Sequence, residues 1–484
     1  MQKLSEKASI ERPLYLPLTE EAVKKIYNEA LRLLERSGMI VYSATAMDAL
    51  EKAGAEIDRE NRKARFPSAM VEDAIASTPA SIKLAARDGK SDAVLEKNKV
   101  HYGTGGTAIY VMDPDTGEKR PSETKDVILN AKMIEKMDNV DVFTINVFPN
   151  DIKEKNHIDV NRFFHAFSNT RKHVMGGIYT LEGCMNVVKM AQEIAGGKEA
   201  LRKDPFVSFI TLLISPFKID DNYGEMTCYL AKEGLPVVVP TEPICGTTSP
   251  ITLAGNVLAH VAETLGGVTL VQAVNKGAPG ICGSVGSITD LRTMNHLSGA
   301  VERAMINAGV AQVAQKLDLP LYSTAGTSDS KEFDVQAAYE SAMSNLLVGM
   351  SGANYMHDAA GLTEFDLTVD YRKFVMDNEI IGMARRVLRG IEVNDEILAA
   401  DLMIEKGPGQ DFLAEQHTVD HMTGEFYDPT VSNRDKREYM KEKNAAEKVE
   451  GIIKEIRAVP DGGCLEEDLR AKITSMFPEI KTIQ

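Results

Sequence analysis

Apolar residues recur at helical spacing from Thr19 to about Leu84, and the chain there reads as helices joined by short connectors. The stretch TEEAVKKIYNEALRLLERSG opens on Thr19 before an acidic first turn and closes on Gly38, the start and stop signals of a helix. SATAMDALEKAG repeats the pattern and KARFPSAMVEDAIAST completes it. Near residue 100 the period changes. Short runs rich in Val, Ile and Tyr now alternate with longer helical segments, the signature of parallel βα units.

The predicted strands are VHYG (100–103), VFTINV (142–147), HVMGG (173–177), FVSFITLLI (206–214), PVVVP (236–240), GICGSV (280–285), LYSTAG (321–326) and NYMHD (354–358). Helix-like segments such as TKDVILNAKMIEKM, LEGCMNVVKMAQEIAG and DVQAAYESAMSNLLVGMSG lie between them. Eight such units predict an α/β fold, a (β/α)₈ TIM barrel, rather than an open doubly wound sheet. The expected division is an N-terminal helical cap over 1–95, the barrel over 96–390, and a C-terminal helical extension over 391–484 that includes YMKEKNAAEKVEGIIKEIR.

A net charge of −16 gives a field that repels polyanions, so neither nucleic acid nor an anionic membrane surface is an expected partner. Cys184, Cys228, Cys245, Cys282 and Cys464 are odd in number and never form CxxC, which argues against a disulfide framework and a zinc knuckle. The opening MQKLSEKASIERPLYLPL lacks a leader's apolar core, and no stretch reads as the roughly 18 apolar residues of a membrane span, so the expectation is cytoplasmic. Long apolar helices after Pro250 and Leu291 suggest a homo-oligomer.

A barrel's active site lies at the C-terminal ends of its strands, which nominates the residues closing each run. Glycine is frequent there (Gly103, Gly176, Gly177, Gly283, Gly326), and a backbone without side chains would let a bulky planar ligand approach, although strand-to-helix turns use glycine for geometry alone. GTGGTA (103–108) lacks the spacing of a dinucleotide fingerprint. Tyr102, Phe148, Tyr179, Phe217, Tyr322, Tyr355 and Phe365 form a candidate aromatic cage for a quaternary ammonium, which ring faces can hold and hydrogen bonds cannot. Each ring taken singly is as well explained by packing.

Glu242, His357 and Asp358 are the candidate catalytic residues, Glu242 as counter-charge to a fixed cation and His357 for a substrate carboxylate. Tyr102, Gly103, Asn146, Phe148, Tyr179, Phe217, Thr324, Lys331, Tyr355 and Phe365 are the substrate-binding candidates. No metal is expected. Cys245 and Cys282 have no ligand partner at tight spacing, and HTVDH (417–421) is not HExxH. No G-x-S-x-G elbow supports a nucleophilic serine.

The stretches TEPICGTTSPITLAGNVLAHVAETL, STAGTSDSKEFDVQAAYESAMSNLLVGMSGANYMHDAAGL and DFLAEQHTVDHMTGEFYDPTVSNRD together resemble the trimethylamine methyltransferase superfamily, across essentially the whole chain. Founding members carry pyrrolysine in the loop corresponding to Thr327 through Phe333, where this chain has standard residues including Lys331. The departure resembles the branch lacking pyrrolysine, with its glycine betaine, proline betaine and carnitine demethylases. The resemblance implies methyl transfer from a quaternary amine carrying a carboxylate to Co(I) of a corrinoid (cobalamin) carried by a cognate corrinoid protein. Displacement in line would release the tertiary amine, and the enzyme would contribute position, an effect of about 7–11 kcal/mol in favourable cases. Two other readings stand beside it, a betaine-binding barrel without catalysis and a zinc-dependent corrinoid methyltransferase.

Overall fold

The computed structural model describes residues 13–439 and 444–483. The start of the opening segment and the MKEK of the lysine-rich stretch therefore lie outside the described residues.

Eight parallel strands form the centre: β1 (His101–Tyr102), β2 (Val142–Thr144), β3 (His173–Gly177), β4 (Val207–Ile210), β5 (Val237–Thr241), β6 (Gly280–Ser284), β7 (Leu321–Thr324) and β8 (Tyr355–His357). Each falls within one of the predicted runs or oversteps it by one residue. They pair in the order β1-β8-β7-β6-β5-β4-β3-β2, and a parallel bridge from Gly103 to Val142 closes the ring. The helices that follow them are α1 (Thr124–Lys136), α2 (Lys155–Asn169), α3 (Leu181–Ala195), α4 (Asp221–Glu233), α5 (Leu253–Val274), α6 (Val301–Lys316), α7 (Val335–Met350) and α8 (Tyr371–Arg389). The fold is a (β/α)₈ barrel.

Register decides which side chains face the axis. Tyr322 pairs with Tyr355, and Val238 with Ile281; all four belong to a core inside the ring that also contains Val142, Met175 and Ile210. The hairpin of Ser81–Leu84 and Ala93–Glu96 plugs the N-terminal end of the strands, packing Ile82, Leu84, Ala93 and Leu95 against that inner core. The opposite end is framed by two small sheets. One joins Tyr110–Met112 and Lys119–Pro121 after β1 to Leu362–Thr363 and Thr368–Val369 after β8; the other joins Ile244–Cys245 after β5 to Ser287–Asp290 and Asn295–Leu297 after β6.

The cap helix Glu20–Arg36 starts as the sequence specifies, with Thr19 Oγ1 accepting from the amide of Ala22 and Gly38 in the left-handed region at φ +70°. With helices Ala44–Lys52 and Ser68–Ser77 it packs on the outer side of α5. That explains why α5 carries no polar face: its inner side lies on the barrel and its outer side under the cap. By length and composition α5 is apolar enough to cross a membrane, which the sequence reading did not anticipate, but 83% of its apolar window is buried within the chain. The helices after Pro250 and Leu291 are thus mostly covered within the chain.

Candidate functional site

At the C-terminal end of the ring the axis-facing positions are small or polar. A methyl group added at Gly177 would meet nothing within 4 Å. The adjoining loop leaves Leu212 and Ile214 nearly two-fifths exposed, and the Glu242 side chain is 45% exposed although protein surrounds it on several sides. These residues follow β3, β4 and β5, and the open space beside Gly177 makes this end of the ring a candidate hollow. Phe148 and Tyr179 stand edge to face beside it, their ring centroids 5.5 Å apart. Beneath Tyr179 the buried guanidinium of Arg162 lies 5.1 Å from the ring centre and donates to the carbonyls of Gly177 and Ile145, which fixes that part of the rim.

Across the hollow runs a chain of charged groups from four segments. Glu242 Oε1 is 3.9 Å from His296 Nδ1, and His296 Nε2 is 3.7 Å from Asp366 Oδ2. Arg303, fully enclosed at the start of α6, donates from Nη1 to Asp366 at 3.0 Å and to Thr327 Oγ1 at 2.7 Å, while Nη2 stands 3.7 Å from Asp358 Oδ2. Asp358 closes the chain by accepting from Thr324 Oγ1 at 2.7 Å and facing His357 Nε2 at 2.8 Å.

The electrostatics follow from burial and partners. Burial raises the Glu242 carboxyl above its ordinary value, against the pull of Arg303 and His296, so it is a weakened counter-charge. Burial would raise Asp366 too, but Arg303 and His296 outweigh it and hold the carboxyl down at about 2. For Arg303 the desolvation that would lower its pKa is overcome by Asp366, Asp358 and Glu242, and it stays protonated. The loop that delivers Asp366 places Glu364, Phe365 and Asp366 consecutively at φ between +52° and +68°, a left-handed run that costs such residues backbone energy.

His357 does not have the freedom the sequence reading gave it. Its Nδ1 lies 2.7 Å from the Ser323 carbonyl, which can only accept, and Nε2 faces Asp358, so both nitrogens are engaged before any substrate arrives. Its ring stacks 4.0 Å from that of Tyr322, so both rings are held in place inside the ring of strands.

Several predicted binding residues sit elsewhere. Tyr102 points outward, its hydroxyl 3.3 Å from the Asn345 carbonyl on α7 and its ring under Arg385 of α8. Asn146 is buried and accepts from Asn130 of α1 at 3.0 Å. Phe217 packs against the main core, and its carbonyl receives the Ile40 amide of the cap. Tyr355 does face the axis, but it is buried a layer down, its hydroxyl 2.6 Å from Thr144 Oγ1 and 3.2 Å from the Thr104 carbonyl. Gly103 is where it is because any side chain there would collide with Tyr355, and Gly105 likewise makes room for His357 and Asp358. Lys331 is exposed, with Nζ 4.1 Å from the Phe365 ring centre and 2.7 Å from the Asp329 carbonyl. Of the expected cage, Phe148, Tyr179, Phe217 and Phe365 are partly accessible, while Tyr102, Tyr322 and Tyr355 are buried.

Arg303, His296 and Asp366 were missed by the sequence reading. The available signal was an arginine in the first turn of a helix, VERAMINAGVAQVAQK, whose other buried residues are all uncharged. Among the described residues no group of three His, Cys, Asp or Glu is arranged to hold a metal ion. A groove of about 290 Å³ outside the barrel, lined by Arg120, Lys132 and Arg457 together with Asp113 and Asp126, mixes opposite charges already paired with one another.

The family profile described as trimethylamine methyltransferase (MTTB) matches residues 2–473 of the chain. A trimethylamine methyltransferase MttB of Desulfitobacterium hafniense (strain DSM 10664 / DCB-2) is 35% identical over 84% of this chain and 81% of its own length. A glycine betaine methyltransferase of Desulfitobacterium hafniense (strain Y51) is 30% identical over 87% of this chain and 88% of its own. The crystal structure of the monomethylamine methyltransferase MtmB of Methanosarcina barkeri superimposes with a TM-score of 0.53, covering 92% of this chain and 89% of that one at 12% identity, a likeness of fold.

Proposed function

Because the chain belongs to the trimethylamine methyltransferase family, a family of methyl-transferring enzymes, we propose that it takes a methyl group from a carboxylate-bearing quaternary amine, with a separate corrinoid protein as acceptor. The observation that supports this reading is the open space beside Gly177 at the end of β3, with the partly accessible Phe148–Tyr179 pair and the partly exposed Glu242 carboxylate after β5 at the same end of the ring. A quaternary ammonium has no proton to donate, so it is held by ring faces and a counter-charge in a partly dry site.

The corrinoid would supply a strongly nucleophilic Co(I) to accept the methyl group; the glycine-lined, open end of the barrel is compatible with its approach. This chain's own residues hold and aim. The positive charge on nitrogen disappears as the methyl leaves, and a full counter-charge would favour the ground state over the transition state. A Glu242 whose carboxyl is raised by burial avoids that penalty. The substrate carboxylate falls to Arg303 rather than His357, since Nη2 is beyond hydrogen-bond distance from Asp358 and retains donors. No general acid is needed, because the amine departs neutral.

The test is methyl transfer by the purified protein to a Co(I) corrinoid protein across a panel of quaternary amines, followed by the corrinoid's absorbance. Methylation from glycine betaine or a related zwitterion, with tetramethylammonium poorer, is the expected result. Tight binding of betaine without methylation would instead establish the non-catalytic barrel.

A further inference from the structure

Helix α5 is apolar along most of its length, yet it carries a carboxylate, Glu263, that is fully enclosed. The helix has no lysine or arginine to answer it. Every group that steadies this carboxylate is uncharged. Oε2 accepts from Ser215 Oγ at 2.7 Å and from Thr241 Oγ1, and Oε1 accepts from the amide of Phe217 at 3.1 Å. An enclosed carboxylate without a cation costs stability that an apolar side chain of similar size would not, so packing does not account for it. What it does is join two strand ends, the turn after β4 and the last residue of β5.

Seven residues earlier, two turns along the same helix face, Asn256 is enclosed as well. Its Nδ2 donates to the carbonyl of Pro243 at 2.7 Å. Next to Glu263, Thr264 Oγ1 donates to the carbonyl of Val239 at 3.2 Å. One helix thus grips the segment leaving β5 at 239, 241 and 243, on both sides of Glu242. The Glu242 carboxyl has no such anchor of its own, since His296 Nδ1 stands 3.9 Å away, beyond hydrogen-bond distance. Its direction is inherited from its backbone, which the following Pro243 confines to extended conformations.

We propose that Glu263 and Asn256 are positioning residues for Glu242, holding the backbone on either side of it so that its carboxyl keeps one place at the open end of the barrel. Both are fully enclosed, so they act on a ligand only through what they hold. The consequence for binding rests on the reading of Glu242 as counter-charge to a quaternary amine; the consequence for structure rests on the hydrogen bonds alone.

The test reads these two consequences separately. Glu263→Ala strands two hydroxyls in the interior and risks the fold, so the working variants are Thr241→Val and Asn256→Ala, each of which breaks one grip. In crystal structures of the two, the Glu242 carboxyl should move by about 1 Å, enough to spoil an aligned geometry. A carboxyl that keeps the parent position in both overturns the proposal, whatever the chain binds. Calorimetry with glycine betaine and with tetramethylammonium gives the second readout. Each variant should bind about fivefold more weakly than the parent, and the penalty should vanish when Glu242→Gln is already present, because groups that act as a unit are not additive. An equal penalty with and without Glu242→Gln makes the grips merely structural and overturns the proposal. Glu263→Gln keeps an acceptor for Phe217, and the two hydroxyls can turn to face its amide, so its affinity should stay within about twofold of the parent. A loss as large as that of Thr241→Val would assign Glu263 its charge in place of its grip. A parent that binds neither amine fails the reading of Glu242 as counter-charge, and the crystallographic comparison then decides the positioning by itself.

Discussion

At the scale of single residues, the hollow is defined by what is absent at Gly177 and by what is present at Glu242. Open space surrounds a methyl placed at Gly177, so Gly177→Ala should leave both melting temperature and transfer nearly unchanged. Gly177→Leu fills the hollow instead, and we expect at least a tenfold loss of transfer with stability within ~1 kcal/mol of the parent, since no core atom is displaced. Equal activity for the two variants would mean that the substrate lies elsewhere. For Glu242→Gln, loss of a weakened counter-charge should raise KM for a quaternary amine about tenfold, roughly 1.4 kcal/mol, with a smaller change in kcat. An unchanged KM would remove Glu242 from the binding site. Arg303→Gln tests the carboxylate: its penalty should fall on zwitterions and spare tetramethylammonium, and equal losses for both would assign Arg303 a purely structural part.

At the scale of elements, the loops that carry the site are tied to the helical layer by a buried ion pair on α8. Lys373 donates from Nζ to Asp377 Oδ2 at 2.6 Å and to the carbonyl of Gly326 after β7; Asp377 accepts from the amide of Gly361 after β8 and from Ser341 of α7. Neither side chain is exposed. Removing one partner strands the other without compensation, so Asp377→Ala should cost about 3–5 kcal/mol by urea denaturation. The double change Lys373→Met/Asp377→Leu should cost less than the single one, and a double variant less stable than Asp377→Ala would refute this account. Helix boundaries were legible in the sequence because capping is local: Thr19 and Gly38 bracket the first helix as read. The role of α5 was not, because a helix apolar all round looks the same whether lipid or other helices cover it.

At the scale of the whole molecule, burial of neutral histidines sets the response to acid. Burial lowers His165, His173 and His260 to about 4, well below the ordinary value near 6.5. Between these limits the unfolded chain binds protons that the folded chain does not, so stability falls as pH drops from about 6.5 toward 4. Asp159 acts oppositely: burial raises it to about 6, so the stabilisation from its protonated form is present at low pH and lost as pH rises through about 6. Glu242, Glu263 and Asp377, also raised by burial, act in the same sense as Asp159, so the histidine part is the share of the acid response that a His173→Gln/His260→Gln variant should lose. A variant whose melting temperature falls between pH 7 and 4 as steeply as the parent's would contradict the burial assigned to these rings.

The strands, their number and their parallel arrangement were fixed by the sequence alone, because apolar runs of strand length alternating with helical periods leave few other ways to bury the same surface. So were the glycines near the strand ends, although not what each makes room for. Tertiary structure decided which way each side chain faces. Tyr102 and Tyr355 both occur in short barrel strands, yet one packs under α7 and the other inside the ring, a difference of register that sequence periodicity cannot resolve in strands of two or three residues. Only closure of the barrel brings Arg303, His296 and Asp366 together, from a helix, a short strand and a loop up to 70 positions apart, and no local pattern encodes a meeting over that distance.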